Sequence, residues 1–338
     1  MAAEHRVLSI QSHVTHGYVG NRSAVLPLQL AGLEVDAINV VNFSNHTGYS
    51  RWGGEKISVD AFEDIWTSLK QNNLCDYTHL LTGYIPGAAV LQAVSDSIDQ
   101  LRASNPDFIY LLDPVMGDDG KLYVSDEVIP IYKAILPKAT CATPNHFEAE
   151  VLTGIKIVDL HTLRQALDAF HDQYHLPHIV ISSVPLPVSA LPDVASNGNT
   201  EWLVCAGSTC CADQDTKRFM IPFEKLDEHY EGVGDLFSAL MLSRLANVVQ
   251  AKPVDCEVSP LAFAARRSIE QLQGIIRATQ RYALQRVGGD ASRLLASSNE
   301  TIEHRIRRLR AVELRLVQNQ DILKGTSGTA ALTAYLLW

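Results

Sequence analysis

Through its first two thirds the chain alternates short apolar runs with longer stretches in which apolar residues recur at helical spacing. That alternation is the pattern of a parallel sheet whose strands are buried on both faces and joined by covering helices. Candidate strands are Val7–Gln11, Val35–Val41, Thr78–Leu81, Phe108–Leu112, Cys141–Thr143 and Ile179–Ile181. Helical spacing runs through Val59–Lys70, Ala88–Ala103 and Leu163–His171. Gly20–Leu30 joins them, with Pro27 either bending that helix or marking its true start. The Pro-, Ser-, Gly- and Asn-rich Val184–Asn199 reads as an exposed connection ahead of two further strand-like segments, Glu201–Cys205 and Arg218–Ile221. From Gly234 onward the chain is mainly helical, most clearly over Leu236–Leu245 and Leu261–Leu284.

With 338 residues, 46% of them apolar, the chain can bury a large core. α/β folds of this length often form one unit, so a single domain over residues 1–338 with a small lid is expected. The formal net charge of -10 argues against a nucleic-acid or anionic-membrane surface and favours a small-molecule substrate. Arg305, Arg307, Arg308 and Arg310 do not change this, because Ile302, Ile306 and Leu309 among them give an apolar stripe and so a solvated helix face. No apolar run approaches the roughly 20 residues of a membrane span, and Met1–Arg6 lacks the halves of a signal peptide, so a cytoplasmic protein is expected. The six cysteines, at 75, 141, 205, 210, 211 and 256, form no CxxC pair and read as reduced thiols.

In open parallel sheets ligands collect beyond the carboxyl ends of the strands. Polar residues just after the expected strands are Ser12, Thr47, Tyr84, Asp113, Asn145, Glu148 and Ser182. The most informative segment is Gly232-Val233-Gly234-Asp235, which runs directly into an apolar helix. Its glycines let successive N–H groups face outward, and the helix start adds positive potential, so phosphate oxygens are accommodated with Asp235 beside them. The same residues also fit a plain helix start stabilised by an aspartate.

Asp113–Asp118 (DPVMGD) sets two carboxylates around a turn, an arrangement that can hold Mg²⁺ through oxygen or bound water, or merely face solvent. Thr143–Glu148 (TPNHFE) puts Asn145 and Glu148 three apart on an opening helix, where they can reach a metal shell or simply cap that helix. Phe43–Tyr49 (FSNHTGY) offers an aromatic ring, an imidazole and a hydroxyl for a small planar ligand.

Taken in order, these motifs resemble those of the pyridoxal kinases of the ribokinase-like superfamily, of the eukaryotic, fungal type. The resemblance runs from RVLSIQSHV at Arg6 through GYVGNRSA, VNFSNHTGY, LTGY, DPVMGD, TPNHFEAE and GVGDLFSAL to ELRLVQNQDI at Glu313–Ile322. It implies a three-layer α/β/α sandwich with a mostly parallel central sheet. It also implies ATP, Mg²⁺ or another divalent cation, and K⁺ or another monovalent cation. The expected partners are pyridoxal, pyridoxine and pyridoxamine as substrates and a second copy of the chain in a homodimer.

Carried over motif by motif, the resemblance makes Ser12, Thr47 and Tyr84 polar groups on the ring, and Val19, Val41, Phe43 and His46 walls of its pocket. Asp113, Asp118, Thr143, Asn145 and Glu148 fall around the cations and phosphates, with Asp113, Asp118, Thr143 and Glu148 as the metal set. Ser182, Ser183 and Tyr123 lie beside ATP, Gly232, Val233 and Gly234 at its phosphates, and Asp235 is the catalytic aspartate.

Position 233 departs from the family's usual Thr, which deletes a hydroxyl, and position 182 is Ser where Thr is usual. The apolar tail Thr329–Trp338 is expected to pack against the body or a partner. A related kinase for a hydroxymethylpyrimidine or a sugar, and a pyridoxal-binding protein without turnover, are the competing readings. FSNHTGY speaks against the first and Asp235 against the second. Because the helix N-terminus favours its ionised form, Asp235 is expected to be a weak base that acts mainly by orienting the hydroxyl.

Overall fold

The computed structural model describes residues 5–192, 201–211, 214–226, 230–250, 258–295, 300–327 and 329–337. The chain begins with β1 (Arg6–Val14), α1 (Asn21–Leu30), β2 (Glu34–Phe43), β3 (Gly54–Lys56), α2 (Val59–Gln71), β4 (His79–Thr82), α3 (Ala88–Ser104) and β5 (Ile109–Leu112). A two-residue-per-strand hairpin, β6 (Gly117–Asp118) and β7 (Lys121–Leu122), precedes α4 (Val128–Ile135), β8 (Cys141–Ala142), α5 (His146–Thr153), α6 (Leu160–Tyr174) and β9 (His178–Pro185). The rest comprises β10 (Trp202–Cys211), β11 (Gln214–Glu224), α7 (Val233–Val249), α8 (Pro260–Arg286), α9 (Ile302–Ala311), α10 (Gln320–Leu323) and β12 (Tyr335–Leu336).

One sheet has the order β12-β11-β10-β9-β8-β5-β4-β1-β2-β3. Its centre, from β9 to β2, is parallel throughout, with Ile10 of β1 beside Ile38 of β2 and Thr82 of β4. Both flanks are antiparallel. Alternate strand residues enter two separate cores: Leu8, Ile10 and Tyr110 meet α2 to α6 through Phe62, Val94 and Phe170. Val7 and Leu111 face the other way and meet α1, α7 and α8 through Leu28, Phe237 and Ile275. Strands apolar on both faces and helices apolar on one are what this three-layer α/β/α sandwich requires.

All eight expected strands are present, and the differences lie at their edges. β9 continues past Ile181 to Pro185 because β10 pairs with it there, Val204 opposite Val184 and Leu203 opposite Pro185. The expected connection is shorter for that reason, and its residues 193–199 lie outside the described residues. Pro27 does not start α1; the helix begins at Asn21 after Gly20, and Pro27 is buried inside it. The apolar tail adds β12 to the sheet, Tyr335 opposite Met220 and Leu336 opposite Phe219, which covers the β11 edge and buries Leu337. Among the described residues no helix is long and apolar enough to cross a membrane.

Candidate active site

The sheet order sorts the site residues. At the carboxyl ends of β2, β1 and β4 stand Phe43, Ser12 and Tyr84; at those of β5, β8 and β9 stand Asp113, Thr143 and Ser182. The first group is the expected ring pocket and the second the expected phosphate site, and α7 opens between them with Asp235 in its first turn. Gly232 caps α7 in the left-handed region, φ 78°, where a Cβ would stand 1.8 Å from the Tyr18 carbonyl oxygen. Only glycine allows that approach. The first bond closing α7 runs from Leu236 N–H to the Gly232 carbonyl, so the amides of Val233, Gly234 and Asp235 precede the helical ladder and are available to an anion.

Asp235 Oδ2 accepts the Gly20 N–H at 2.8 Å, and Ser23 Oγ donates to the Gly232 carbonyl at 3.0 Å, tying the β1–α1 turn to the start of α7. Burial pushes the Asp235 carboxyl up to about 6; the Gly20 N–H opposes this and the nearby Glu231 adds to it. The direction is opposite to that expected from the helix N-terminus alone, because desolvation outweighs it. Asp235 is therefore a better base than its place on a helix suggests.

Beside it, Asp113 is 5% exposed and accepts from Ser238 Oγ at 2.9 Å, and the same hydroxyl lies 2.9 Å from Thr143 Oγ1. Burial, then Glu148 and Asp235, hold the Asp113 carboxyl well above the usual range. Glu148 is pushed up to about 7 by burial, although three backbone N–H groups stabilise its charge. Its oxygens accept from Met116 N–H at 2.8 Å and Gly117 N–H at 3.4 Å, and from Asn145 N–H at 2.9 Å. Asn145 Oδ1 in turn accepts the Glu148 N–H at 2.8 Å, and its Nδ2 donates to the Gly117 carbonyl at 2.8 Å. The capping arrangement is thus realised, and the pair also fixes the DPVMGD turn over the expected phosphate site.

These side chains line a cleft of about 190 Å³ that brings together Asp113, Asp118, Glu148, Glu231 and Asp235, with no Lys or Arg in its wall. Five carboxylates gathered in a wall without Lys or Arg, three of them (Asp113, Glu148 and Asp235) driven toward protonation, make a donor set that fits a divalent cation. Among the described residues no His, Cys, Asp or Glu trio closes a metal cage of its own. Asp118 and Asp113 are the better placed of the expected ligands, since both Glu148 oxygens are already engaged by backbone N–H groups.

The cleft continues into a second of about 270 Å³ that shares Asp118, Asn145, Ser182, Val233 and Gly234 with it and also takes in Ser183. Its far wall is apolar, formed by Leu203, Phe223, Leu226, Phe237, Leu272 and Ile276. Tyr123 lines the cleft of about 190 Å³ and is 61% exposed.

On the ring side Val41 is buried, Val19, Phe43 and Tyr84 are half-buried, and Thr47 is exposed. His46 is 7% exposed, with Nε2 3.3 Å from Glu313 Oε1 and its buried Nδ1 without a hydrogen bond. Glu313 also accepts from Tyr49 OH at 3.0 Å and from Tyr18 N–H at 3.2 Å, so it clamps the two loops around the pocket.

Sequence reasoning missed four groups here: Gly20 as a donor, Ser238, Glu313 and the apolar wall. Ser238 was findable, three residues after Asp235 on the same helix face. The others depend on contacts distant in sequence.

The sequence pattern of the family described as phosphomethylpyrimidine kinase matches residues 35–254. The pyridoxal kinase of Bos taurus is 38% identical over 281 residues, covering 80% of this chain and 87% of that protein. The pyridoxal kinase of Arabidopsis thaliana is 41% identical over 268 residues, covering 78% and 82%. The structure of pyridoxal kinase from Leishmania donovani in complex with ADP and pyridoxamine superposes with a TM-score of 0.77 at 33% identity, covering 98% of this chain and 99% of that one. With the sandwich, the paired clefts and these relatives agreeing, the chain belongs to the pyridoxal kinase family of the ribokinase-like superfamily.

Proposed function

We propose that the chain transfers the γ-phosphoryl group of ATP to the 5'-hydroxymethyl group of pyridoxal, pyridoxine and pyridoxamine. The observation that carries this reading is Asp235. It is a carboxylate raised to about 6, held by the Gly20 amide where the expected ring pocket, the phosphate cleft and the open end of α7 meet. Relatives solved with ADP and pyridoxamine or with ADP and pyridoxine support the same pair of ligands here.

On this reading the base of ATP occupies the apolar cleft near Leu272, and its phosphates pass Ser182, Ser183 and Asn145 to the amides of Val233 to Asp235. Tyr123 closes over them. Ser12, Thr47 and Tyr84 bind the ring's polar groups, among Val19, Val41, Phe43 and His46. Asp235 orients the hydroxyl and accepts its proton as the phosphoryl group departs in line. The amides at the start of α7 meet charge on the phosphoryl oxygens.

Mg²⁺ held by Asp113 and Asp118, with Thr143 and Glu148 around it, would neutralise phosphate charge, and K⁺ or another monovalent cation would sit near Asp113, Thr143 and Ser182. The reading also includes a single domain, supported by the continuous ten-stranded sheet, a cytoplasmic location as expected from the sequence, and a homodimer as the family resemblance implies. The test is ADP formation measured in parallel on pyridoxal, pyridoxine, pyridoxamine and hydroxymethylpyrimidine. Turnover on the three vitamers above that on the pyrimidine supports the assignment, and the reverse order gives the sibling kinase.

A further inference from the structure

Behind the β1–α1 turn lies a separate cleft of about 840 Å³, walled by that turn, the end of α8, α9 and the segment after α9. Arg22, Arg286, Arg307, Arg310 and Arg315 line it. None of these five guanidiniums makes a hydrogen bond or ion pair among the described residues. Their neighbours on α9 behave differently: Arg305 donates to the Gly48 carbonyl at 2.6 Å, and Arg308 pairs with Glu300 at 2.8 Å. The basic run of α9 is therefore divided, two members serving the fold and two, Arg307 and Arg310, facing the cleft. Two carboxylates also line it, but Glu313 is engaged by Tyr18 N–H and Tyr49 OH, and Glu303 alone does not balance five cations.

Gathering five arginines in one concavity costs repulsion, which the ring contacts of Arg22 with Tyr18 and Arg315 with Tyr282 offset only for those two; in a chain of net charge -10 the cluster stands out further. Guanidinium forks match phosphate oxygens bidentately. Tyr18 and Tyr282 supply ring faces in the same cleft, with Arg315 4.0 Å above the Tyr282 ring. The volume falls within the roughly 300–1,000 Å³ of small-molecule pockets. We infer that this cleft is a second binding site, distinct from the catalytic clefts, for a small phosphate monoester carried on a ring. It stands back to back with the ring pocket, sharing Glu313 and the backbone of Gly17 and Tyr18.

The probe is phenyl phosphate, titrated calorimetrically into the full chain with the ATP analogue AMP-PNP and pyridoxine saturating the catalytic clefts. Inorganic phosphate, phenol and a short single-stranded RNA are titrated as separate arms. One phenyl phosphate per chain is expected, bound more tightly than inorganic phosphate and with phenol silent. Arg286→Ala/Arg307→Ala should weaken it at least tenfold, with an unchanged melting curve and unchanged turnover. Equal binding by that variant, no saturable binding, or RNA binding more tightly than phenyl phosphate overturns the inference. Failure of AMP-PNP or pyridoxine to bind would be seen in their own titrations and would count against the proposed activity instead.

Discussion

The amide of Gly20 donates a 2.8 Å hydrogen bond to Oδ2 of Asp235, across 215 positions of sequence. Gly20 sits at φ 54° with its Cα against Ser12, where a Cβ would lie 2.0 Å from the Ser12 carbonyl oxygen and 2.5 Å from Oγ. One glycine therefore fixes the distance between Ser12, a proposed ring-pocket residue, and the proposed base.

Gly20→Ala should accordingly damage catalysis without touching either ligand. Displacing Asp235 by ~1 Å costs on the order of 10²-fold in rate. We expect kcat to fall by at least about tenfold in a protein that still binds ATP. Wild-type kcat in a folded Gly20→Ala variant would show that the Gly20 bond does not position the carboxylate.

The raised carboxyls predict a pH dependence. Asp235, up to about 6, must be ionised to accept a proton, so kcat/KM for pyridoxal should rise with pH through about 6 and level off above it. A profile already flat at pH 5 contradicts the assignment.

Stability should respond in the opposite sense. Burial lifts Glu148 from 4.5 to about 7, so between these values the folded chain binds more protons than the unfolded one. Without metal, stability attributable to this group grows as pH falls from about 7 toward 4.5. Cation binding needs the ionised forms, so Mg²⁺ with ADP should raise the melting temperature more at pH 8 than at pH 5.5. Equal increments at both pH values would remove the carboxylate cluster from metal binding.

The layers of the fold were legible because the central strands are buried on both faces and so read as apolar runs, Phe108–Leu112 among them. β3, the β6–β7 hairpin and β12 were not, since two or three residues carry no periodicity and their pairing is decided by distant partners. The motif residues around the site stood out by position after strands. Glu313 is joined to Tyr18 from 295 residues away, which only the folded chain reveals. The basicity of Asp235 differs from the sequence expectation for the same reason: a helix start is visible in sequence, whereas the burial that outweighs it is not.

Val233 offers its backbone N–H at the start of α7 but no hydroxyl. If the site works through backbone donors, Val233→Thr should change kcat/KM for ATP by no more than one hydrogen bond, ~1 kcal/mol. A gain of tenfold or more, about 1.4 kcal/mol, would mean that a hydroxyl completes the cation or phosphate shell and that this chain is a weakened kinase.

The proposed monovalent site near Asp113, Thr143 and Ser182 predicts that exchanging K⁺ for a bulky organic cation at constant ionic strength raises KM for ATP. Indifference to the exchange would leave the Ser238 bridge between Asp113 and Thr143 as a purely structural link.

The most direct measurement is phosphorylation of pyridoxal by Asp235→Asn beside the wild type, with ATP affinity measured separately. The amide keeps an oxygen for the Gly20 N–H but cannot accept the substrate proton. The account predicts that turnover falls by roughly 10² or more while ATP binding changes little. A folded Asp235→Asn variant that turns over pyridoxal at the wild-type rate would contradict it.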